Sequence, residues 1–303
     1  MLQNTLLNQY NNNLEKEFIK LFHELGMPLR TKQRGRKGFS NYQRISVTIL
    51  FARSRKSLRD FVNQFHESKW TSWLQLSKIP SKSTLHNWLK FFSLKIIRRI
   101  NKILKPKSPS LTAIDGTGFD SFHRSRHYEK RVGFTKMPYA KADLFVDCST
   151  KKIIDFSLVN KHQHDIVAAR QFVKRNNLKN VKILCDGAYD CEGLHQSIVD
   201  KGGKLYAPVR KRNKRSLRRF SKGRYRKQCL TLPDFMGQRS IVEAVNAVLK
   251  RRFIISLRSK VGFMKKREFA WAIVVYNFDR ELICGRNEKQ KQISFFILVL
   301  IYC

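Results

Sequence analysis

Two aspartates in the sequence stand at the ends of apolar stretches, where a carboxylate is unfavourable unless it has a partner. Asp115 lies between Ile114 and Gly116 in LTAIDG, and Asp186 ends the stretch VKILCDG. Burying an unpaired carboxylate costs several kcal/mol. Each aspartate therefore requires a nearby positive charge or a metal ion if its strand is internal.

A glutamate is the third candidate. Glu243 lies in RSIVEAVNAVLKRRF, where the apolar spacing predicts a helix over residues 239–253 with Glu243 beside its buried face. Two strand-end aspartates and one helix glutamate can converge on one edge of a mixed sheet. Three hard oxygen ligands, with no thiolate or imidazole in the pattern, suit Mg²⁺ or Mn²⁺ better than zinc.

Such a group of acids suits phosphoryl transfer on DNA. Two divalent ions about 3.5 to 4 Å apart can activate a water or a 3′-hydroxyl and stabilise the leaving oxygen of an in-line displacement. The carboxylates would then hold metal ions rather than carry protons. Any one of these aspartates alone is better explained as a cap or turn residue, but the three together in a strongly basic chain favour a catalytic site.

The overall charge points to a polyanionic partner. The 303 residues include 62 Lys and Arg against 22 Asp and Glu, a net charge of +40, yet 42% of the residues are hydrophobic. That apolar content predicts a folded protein rather than a disordered cationic tail. A charge this large is best tolerated when a polyanion neutralises it, so we expect nucleic acid as the partner. Binding to a membrane surface is the weaker alternative.

Two cations flank Glu243 on its predicted helix. Arg239 precedes it by four residues and Lys250 follows it by seven, so all three are expected near one helical face. A guanidinium and an ammonium beside the acid would bind phosphates next to the metal ions. The alternative is an ion pair within the helix between Arg239 and Glu243.

Further cations are expected to contact the DNA backbone. Residues 207–230 contain 11 Lys or Arg and no acid, with Phe220 and Tyr225 among them. A solvated surface is the usual explanation of a charged run, but so many like charges without a counter-charge favour contact with phosphates. The predicted DNA-binding residues are Arg212, Arg215 and Arg219 in this run, and Arg124 and Arg126 after the first predicted strand.

The first 105 residues have helical periodicity. In IPSKSTLHNWLKFF the apolar residues Leu85, Trp88 and Phe92 share one face, which leaves Lys82 and Lys90 outward. A short helix with a cationic outer face after another helix and a turn is typical of a helix-turn-helix that enters the major groove. An ordinary amphipathic helix in a bundle explains the pattern equally well.

After residue 105 the periodicity changes to that of strands. Three short apolar or alternating strands are followed by helix, strand, helix and strand, which predicts an antiparallel meander leading into parallel crossovers. We therefore expect an α/β fold with a mixed sheet. The expected division is a helical region at 1–105, a catalytic domain at 106–285 with a basic insertion at about 207–238, and a C-terminal tail at 286–303.

The remaining composition favours a cytoplasmic protein. Six scattered cysteines contain no C-x-x-C pair, and the N-terminus lacks the pattern of a secretory signal. No apolar run approaches the roughly 20 residues of a membrane-spanning helix. We expect no membrane partner.

Three blocks of the sequence resemble a known family. AIDGTGF around Asp115, ILCDGAYD around Asp186, and the pattern R-x3-E-x6-K formed by Arg239, Glu243 and Lys250 are similar to the acidic blocks of DDE transposases from prokaryotic insertion sequences of groups four and five. The likeness covers roughly residues 40–280. The pairs His164–Asp165 and Tyr189–Asp190 also match the family pattern. One departure is Met236, where the family has a tyrosine.

The resemblance implies a ribonuclease-H-like catalytic core in which Asp115, Asp186 and Glu243 bind two Mg²⁺ or Mn²⁺ ions. It implies a transposase that binds terminal inverted repeats of an insertion sequence, cleaves a strand and transfers it to target DNA. It also implies double-stranded DNA as the partner, a homodimer on that DNA and a place in the nucleoid. Two alternatives stay open, a nuclease of the same fold without strand transfer and a decayed DNA-binding protein without catalysis.

Overall fold

The structure is a computed structural model. It describes residues 2–30, 38–121, 140–160, 163–209 and 223–302, with side chains described between residues 14 and 283 of these ranges. The chain divides into two compact units, Met1–Leu104 with Trp271–Cys303, and Lys105–Ala270.

The first unit is helical, as its periodicity predicts. Serine caps begin three of its helices: the hydroxyls of Ser40, Ser57 and Ser81 accept hydrogen bonds from the backbone N–H three residues later. The apolar residues between positions 42 and 65 recur at helical spacing and predict one helical stretch. This stretch forms two helices because the chain turns at Arg55, which has a left-handed backbone conformation. The helices are α1 (Leu2–Leu25), α2 (Asn41–Ser54), α3 (Leu58–His66), α4 (Trp70–Trp73), α5 (Lys82–Phe91) and α6 (Leu94–Leu104).

Helices α2, α3 and α5 pack against one another in this unit. Leu85 and Trp88 are the buried residues of α5, whereas Lys82 and Lys90 are exposed. The cationic outer face predicted for α5 is therefore present. Its role in DNA binding stays a prediction.

The second unit is built on one five-stranded sheet. Its strands are β1 (Leu111–Phe119), β2 (Ala140–Asp147), β3 (Ile153–Val159), β4 (Lys182–Leu184) and β5 (Lys204–Tyr206). Their order across the sheet is β3-β2-β1-β4-β5. Strands β1, β2 and β3 pair antiparallel, whereas β1, β4 and β5 pair parallel. The predicted mixed α/β sheet is thus confirmed.

The sheet packs against the helices α7 (Asp165–Arg175), α8 (Glu192–Val199) and α10 (Ser240–Val248). The short helix α9 (Arg224–Lys227) packs against α8. Ile114 and Phe145 pack in one apolar cluster with Phe172 of α7 and Leu194 of α8. Helix α10 packs against β1 and β2. Burial of these apolar faces fixes the strands that carry the candidate acids.

Two predicted elements differ from the structure. The stretch 181–188 is a strand only over β4, because the carboxylate of Asp186 binds the N–H of Ala188 at 2.8 Å and starts a 3₁₀ turn, Gly187–Tyr189. The helix predicted at 239–253 is divided into a 3₁₀ turn (Asp234–Arg239), α10 and a π-helical turn (Leu249–Phe253).

The last helix, α11 (Gly262–Tyr302), is the longest. Its residues from Trp271 onward group with the helical unit, where Phe278 packs on Phe18 and Trp271 packs on Phe92. The expected catalytic domain, residues 106–285, therefore includes a part of α11 that groups with the helical unit, from Trp271 onward. None of the helices in the described ranges has the apolar length needed to traverse a bilayer.

Candidate active site

Asp115 lies on β1, the central strand of the sheet, and is partly buried. Burial raises the pKa of its carboxyl from 3.8 to about 6. The N–H of Gly116 and the charge of Arg239 oppose this rise, whereas the negative charges of Asp186 and Glu243 add to it. The other two predicted acids therefore lie within electrostatic reach of Asp115.

Asp186 follows the strand beside β1. In the parallel pairing of β1 with β4, Ala113 is opposite Leu184. Asp115 and Asp186 each come two residues later, so they are neighbours in the register of the two strands. The prediction that both stand at strand ends is wrong for Asp115: β1 continues to Phe119 in its pairing with β2, so Asp115 is in the middle of β1, whereas Asp186 follows the end of β4. The turn that Asp186 caps holds its carboxylate just beyond the end of β4.

Glu243 is contributed by α10, which packs on β1 and β2. Its side chain is 51% exposed, and one oxygen lies 2.7 Å from Nη2 of Arg239. The structure thus contains the intrahelical ion pair that was the alternative interpretation of this spacing. An exposed pair of this kind contributes only about 0.2 to 0.5 kcal/mol, so it can exchange for another partner.

The donor set fits a divalent cation, although the side chains are not arranged around one. Within the described ranges, no three His, Cys, Asp or Glu side chains stand close enough together to hold a metal ion. The three predicted acids are not grouped around one point because two of them have other partners. Glu243 pairs with Arg239, and Asp186 binds the N–H of Ala188. Burial is the main cause of the raised pKa of Asp115, and a bound cation would offset both that burial and the smaller repulsion from Asp186 and Glu243. The assignment of the three acids as metal ligands stays a prediction.

The predicted phosphate-binding residues are only partly described. Lys250 is exposed in the π-helical turn, and its ammonium lies 5.6 Å from the ring centre of Phe119 at the end of β1. Arg239 ends the 3₁₀ turn before α10. Arg124, Arg126, Arg212, Arg215 and Arg219 lie outside the described residues.

A second polar cluster lies behind β1. Successive strand residues face opposite sides of a sheet, so Gly116 faces away from the side of Asp115. A Cβ on Gly116 would lie 3.0 Å from Asp143 and 3.2 Å from Asp165. Lys141 bridges these two acids, at 3.3 Å from Asp143 and in direct contact with Asp165. Burial raises the pKa of Asp143 to about 6, and Lys141 opposes that rise.

Sequence reasoning largely missed this cluster. In the sequence, Asp143 is only a substitute ligand in case one of the three predicted acids is misplaced, and Asp165 stands out only through the His164–Asp165 match to the family pattern. The signal was available in AKAD, because Lys141 and Asp143 are two residues apart on one strand and must share a face.

Asp190, just after the second acidic block, forms a buried ion pair. Its side chain is fully buried and binds the guanidinium of Arg226 through both oxygens, one of them 2.6 Å from Nε. The carboxylate of Glu192 accepts hydrogen bonds from the N–H groups of Tyr225 and Arg226, at 3.0 and 3.1 Å. A Cβ on Gly223 would displace the carboxylate of Glu192, which these two N–H groups hold in place. Helix α9 is therefore fastened to α8 and to the turn after Asp186.

Comparison with protein families gives a match over the part of the chain that carries these residues. The family of the transposase DDE domain matches residues 106–278, which include Asp115, Asp186 and Glu243. No curated protein matches the chain.

Two solved structures are similar to the chain. One is the piggyBac transposase in a synaptic complex with hairpin DNA, with 12% identity and a TM-score of 0.45 over 92% of this chain and 74% of that one. The other is the simian T-cell lymphotropic virus intasome in complex with the PP2A regulatory subunit B56 gamma. It has 9% identity and a TM-score of 0.25 over 68% of this chain and 69% of that one.

Proposed function

The chain belongs to the transposase DDE domain family, and from this premise we propose that it is the DNA transposase of a prokaryotic insertion sequence of group four or five. It binds the terminal inverted repeats of the element, cleaves a strand at each end and transfers the freed 3′-end to target DNA. The observation that supports the proposal is the electrostatic influence of Asp186 and Glu243 on Asp115, with all three acids inside the matched region.

The proposed catalytic residues are Asp115, Asp186 and Glu243, which would hold two Mg²⁺ or Mn²⁺ ions. Such ions, when bound, supply an activated water or 3′-hydroxyl and stabilise the leaving oxygen. Glu243 has to leave Arg239 to serve as a ligand. Arg239 then has its guanidinium available for the phosphate of the scissile strand, a role that its planar donors suit.

The sheet and the basic residues support the remaining parts of the proposal. The strand order β3-β2-β1-β4-β5, with its first three strands antiparallel, supports the ribonuclease-H-like core that the family resemblance implies. The helical unit would recognise the repeats through the exposed face of α5, which carries Lys82 and Lys90. We place the protein in the nucleoid as a homodimer on DNA, because the two ends of an element must be processed together.

Replacing Glu243 by Gln tests the proposal. The substitution removes the ligand charge and keeps the shape, so strand cleavage should fall at least 100-fold, by analogy with the loss of a single transition-state contact. Binding to repeat DNA should change little. The assay measures both the nicking of a labelled duplex with the element end and its joining to a plasmid.

The matched control is Glu67→Gln, the same change at an exposed glutamate of the helical unit. It should cleave and join like the unchanged protein. Normal cleavage by Glu243→Gln would remove this residue from the site. Cleavage without joining by the unchanged protein would favour a nuclease, and DNA binding without either reaction would favour a decayed transposase.

A further inference from the structure

A second cationic surface follows α10, the helix that carries Glu243. It lies outside the basic run at residues 207–230. Residues 251–267, here called the 251–267 surface, contain seven Lys or Arg and no Asp or Glu. Five of these cations are exposed: Arg251, Arg252, Arg258, Lys260 and Lys266. Several exposed side chains that all carry positive charge produce a positive potential, which attracts a polyanion.

The backbone of this surface is held in place by several contacts. The N–H of Leu257 donates to the carbonyl of Asp120 at 2.8 Å, and Leu257 pairs with Ser121 in a β-bridge. The carboxylate of Glu268 accepts hydrogen bonds from the N–H groups of Arg258 and Ser259, at 2.9 and 2.8 Å. Glu268 is the acid nearest in sequence, and backbone donors already occupy it.

Large apolar side chains accompany the cations. Ile255, Val261 and Phe263 are 74%, 54% and 51% exposed. The guanidinium of Arg267 lies 5.1 Å from the ring centre of Phe263 and keeps the ring beside a positive charge. The surface therefore offers phosphate contacts and apolar contacts side by side.

The surface is attached to two of the three elements that carry predicted acids. The bridge to Ser121 joins it to the residues that follow β1, the strand of Asp115. At its other end the π-helical turn continues directly from α10, the helix of Glu243. A ligand on this surface is thus placed with respect to both elements.

We propose that the 251–267 surface binds the backbone of duplex DNA beside the cleavage site, with Val261 and Phe263 against the sugars of a groove. The inference rests on the proposed function and adds a contact surface to it. Duplex DNA is favoured over a second copy of the chain, because two surfaces with this charge would repel each other. Three apolar side chains are also few for a stable protein interface, which buries about 20 to 30 residues a side.

The double variant Arg258→Ala/Lys260→Ala tests the phosphate contacts. Each phosphate contact contributes about 0.9 to the slope of log K against log salt. Binding of a 30-base-pair duplex should therefore become weaker, and its salt slope should fall by about 2. The control Lys174→Ala/Lys179→Ala removes the same charge from exposed positions in and after α7 and should keep the slope.

The variant Phe263→Ala tests the apolar contact. It should weaken duplex binding by about tenfold, as expected for the loss of a partly buried aromatic ring, with the salt slope unchanged because no counterion contact is lost. Thermal unfolding confirms that each variant is folded.

The two proposals fail in different ways. If the unchanged protein binds and joins DNA but Arg258→Ala/Lys260→Ala keeps the full salt slope, the DNA surface is wrong and the proposed function stands. If the surface variants instead reduce self-association measured by sedimentation without DNA, the surface is a protein contact. If the unchanged protein shows no salt-dependent duplex binding, both proposals are contradicted.

Discussion

Asp115 is held in a field that disfavours its charge. Burial raises its pKa from 3.8 to about 6, and Asp186 and Glu243 add to the rise. The folded state therefore keeps the proton over a pH range in which the unfolded chain has lost it. Stability falls as pH rises from about 3.8 to about 6, and the penalty remains above that range.

The variant Asp115→Asn should be more stable than the unchanged protein at pH 7.5 without metal. A pKa rise of about two units corresponds to an increase of about 2 kcal/mol in the free energy of unfolding, after allowance for partial exposure. The gain should vanish near pH 4, where the unchanged carboxyl is protonated in the folded state. Urea unfolding at the two pH values measures it, and an equal effect of the substitution at both would contradict the electrostatic cause.

The residue types of the candidate site were predictable from the sequence, but their partners were not. Asp115 and Asp186 stand out because they end apolar runs, and Glu243 stands out beside an apolar helix face. The pairing of Asp190 with Arg226 joins residues 36 positions apart. No local spacing rule relates residues at that separation.

At the level of elements, the type and order of the strands followed from their apolar patterns, whereas two boundaries did not. The strand before Asp186 ends early because the aspartate side chain competes for the backbone N–H of Ala188. The turn after α10 widens to a π-helix, with the N–H of Ile254 bonded to the carbonyl of Leu249. Both results depend on local hydrogen bonds that apolar periodicity does not register.

The attachment of α9 to α8 gives a prediction at this level. Asp190→Ala should lower the free energy of unfolding by about 3 kcal/mol, because it leaves the guanidinium of Arg226 without its buried partner. Chemical denaturation measures the change. The control Asp200→Ala, at the exposed end of α8, removes a contact within one helix and should cost less than about 0.5 kcal/mol. An equally small loss of unfolding free energy in Asp190→Ala and Asp200→Ala would show that Asp190 does not hold α9 in place.

For the whole molecule, charge and chemistry point to the same partner. A net charge of +40 favours nucleic acid, and the repulsion of Asp186 and Glu243 on Asp115 in such a chain favours a cation beside these acids. The composition alone predicts a polyanionic partner, and that stays a prediction. The 251–267 surface became recognisable only in the fold, which shows that five of its seven cations are exposed and that Glu268 binds two backbone N–H groups.

Binding of Mn²⁺, followed by electron paramagnetic resonance with a duplex present, tests directly whether the three acids form one metal site. We expect two bound ions in the unchanged protein and in the control Asp200→Asn. Asp115→Asn, Asp186→Asn and Glu243→Gln should each lose at least one ion, because each removes a ligand charge from the shared site. Full Mn²⁺ binding by all three variants would contradict a common site made by these residues.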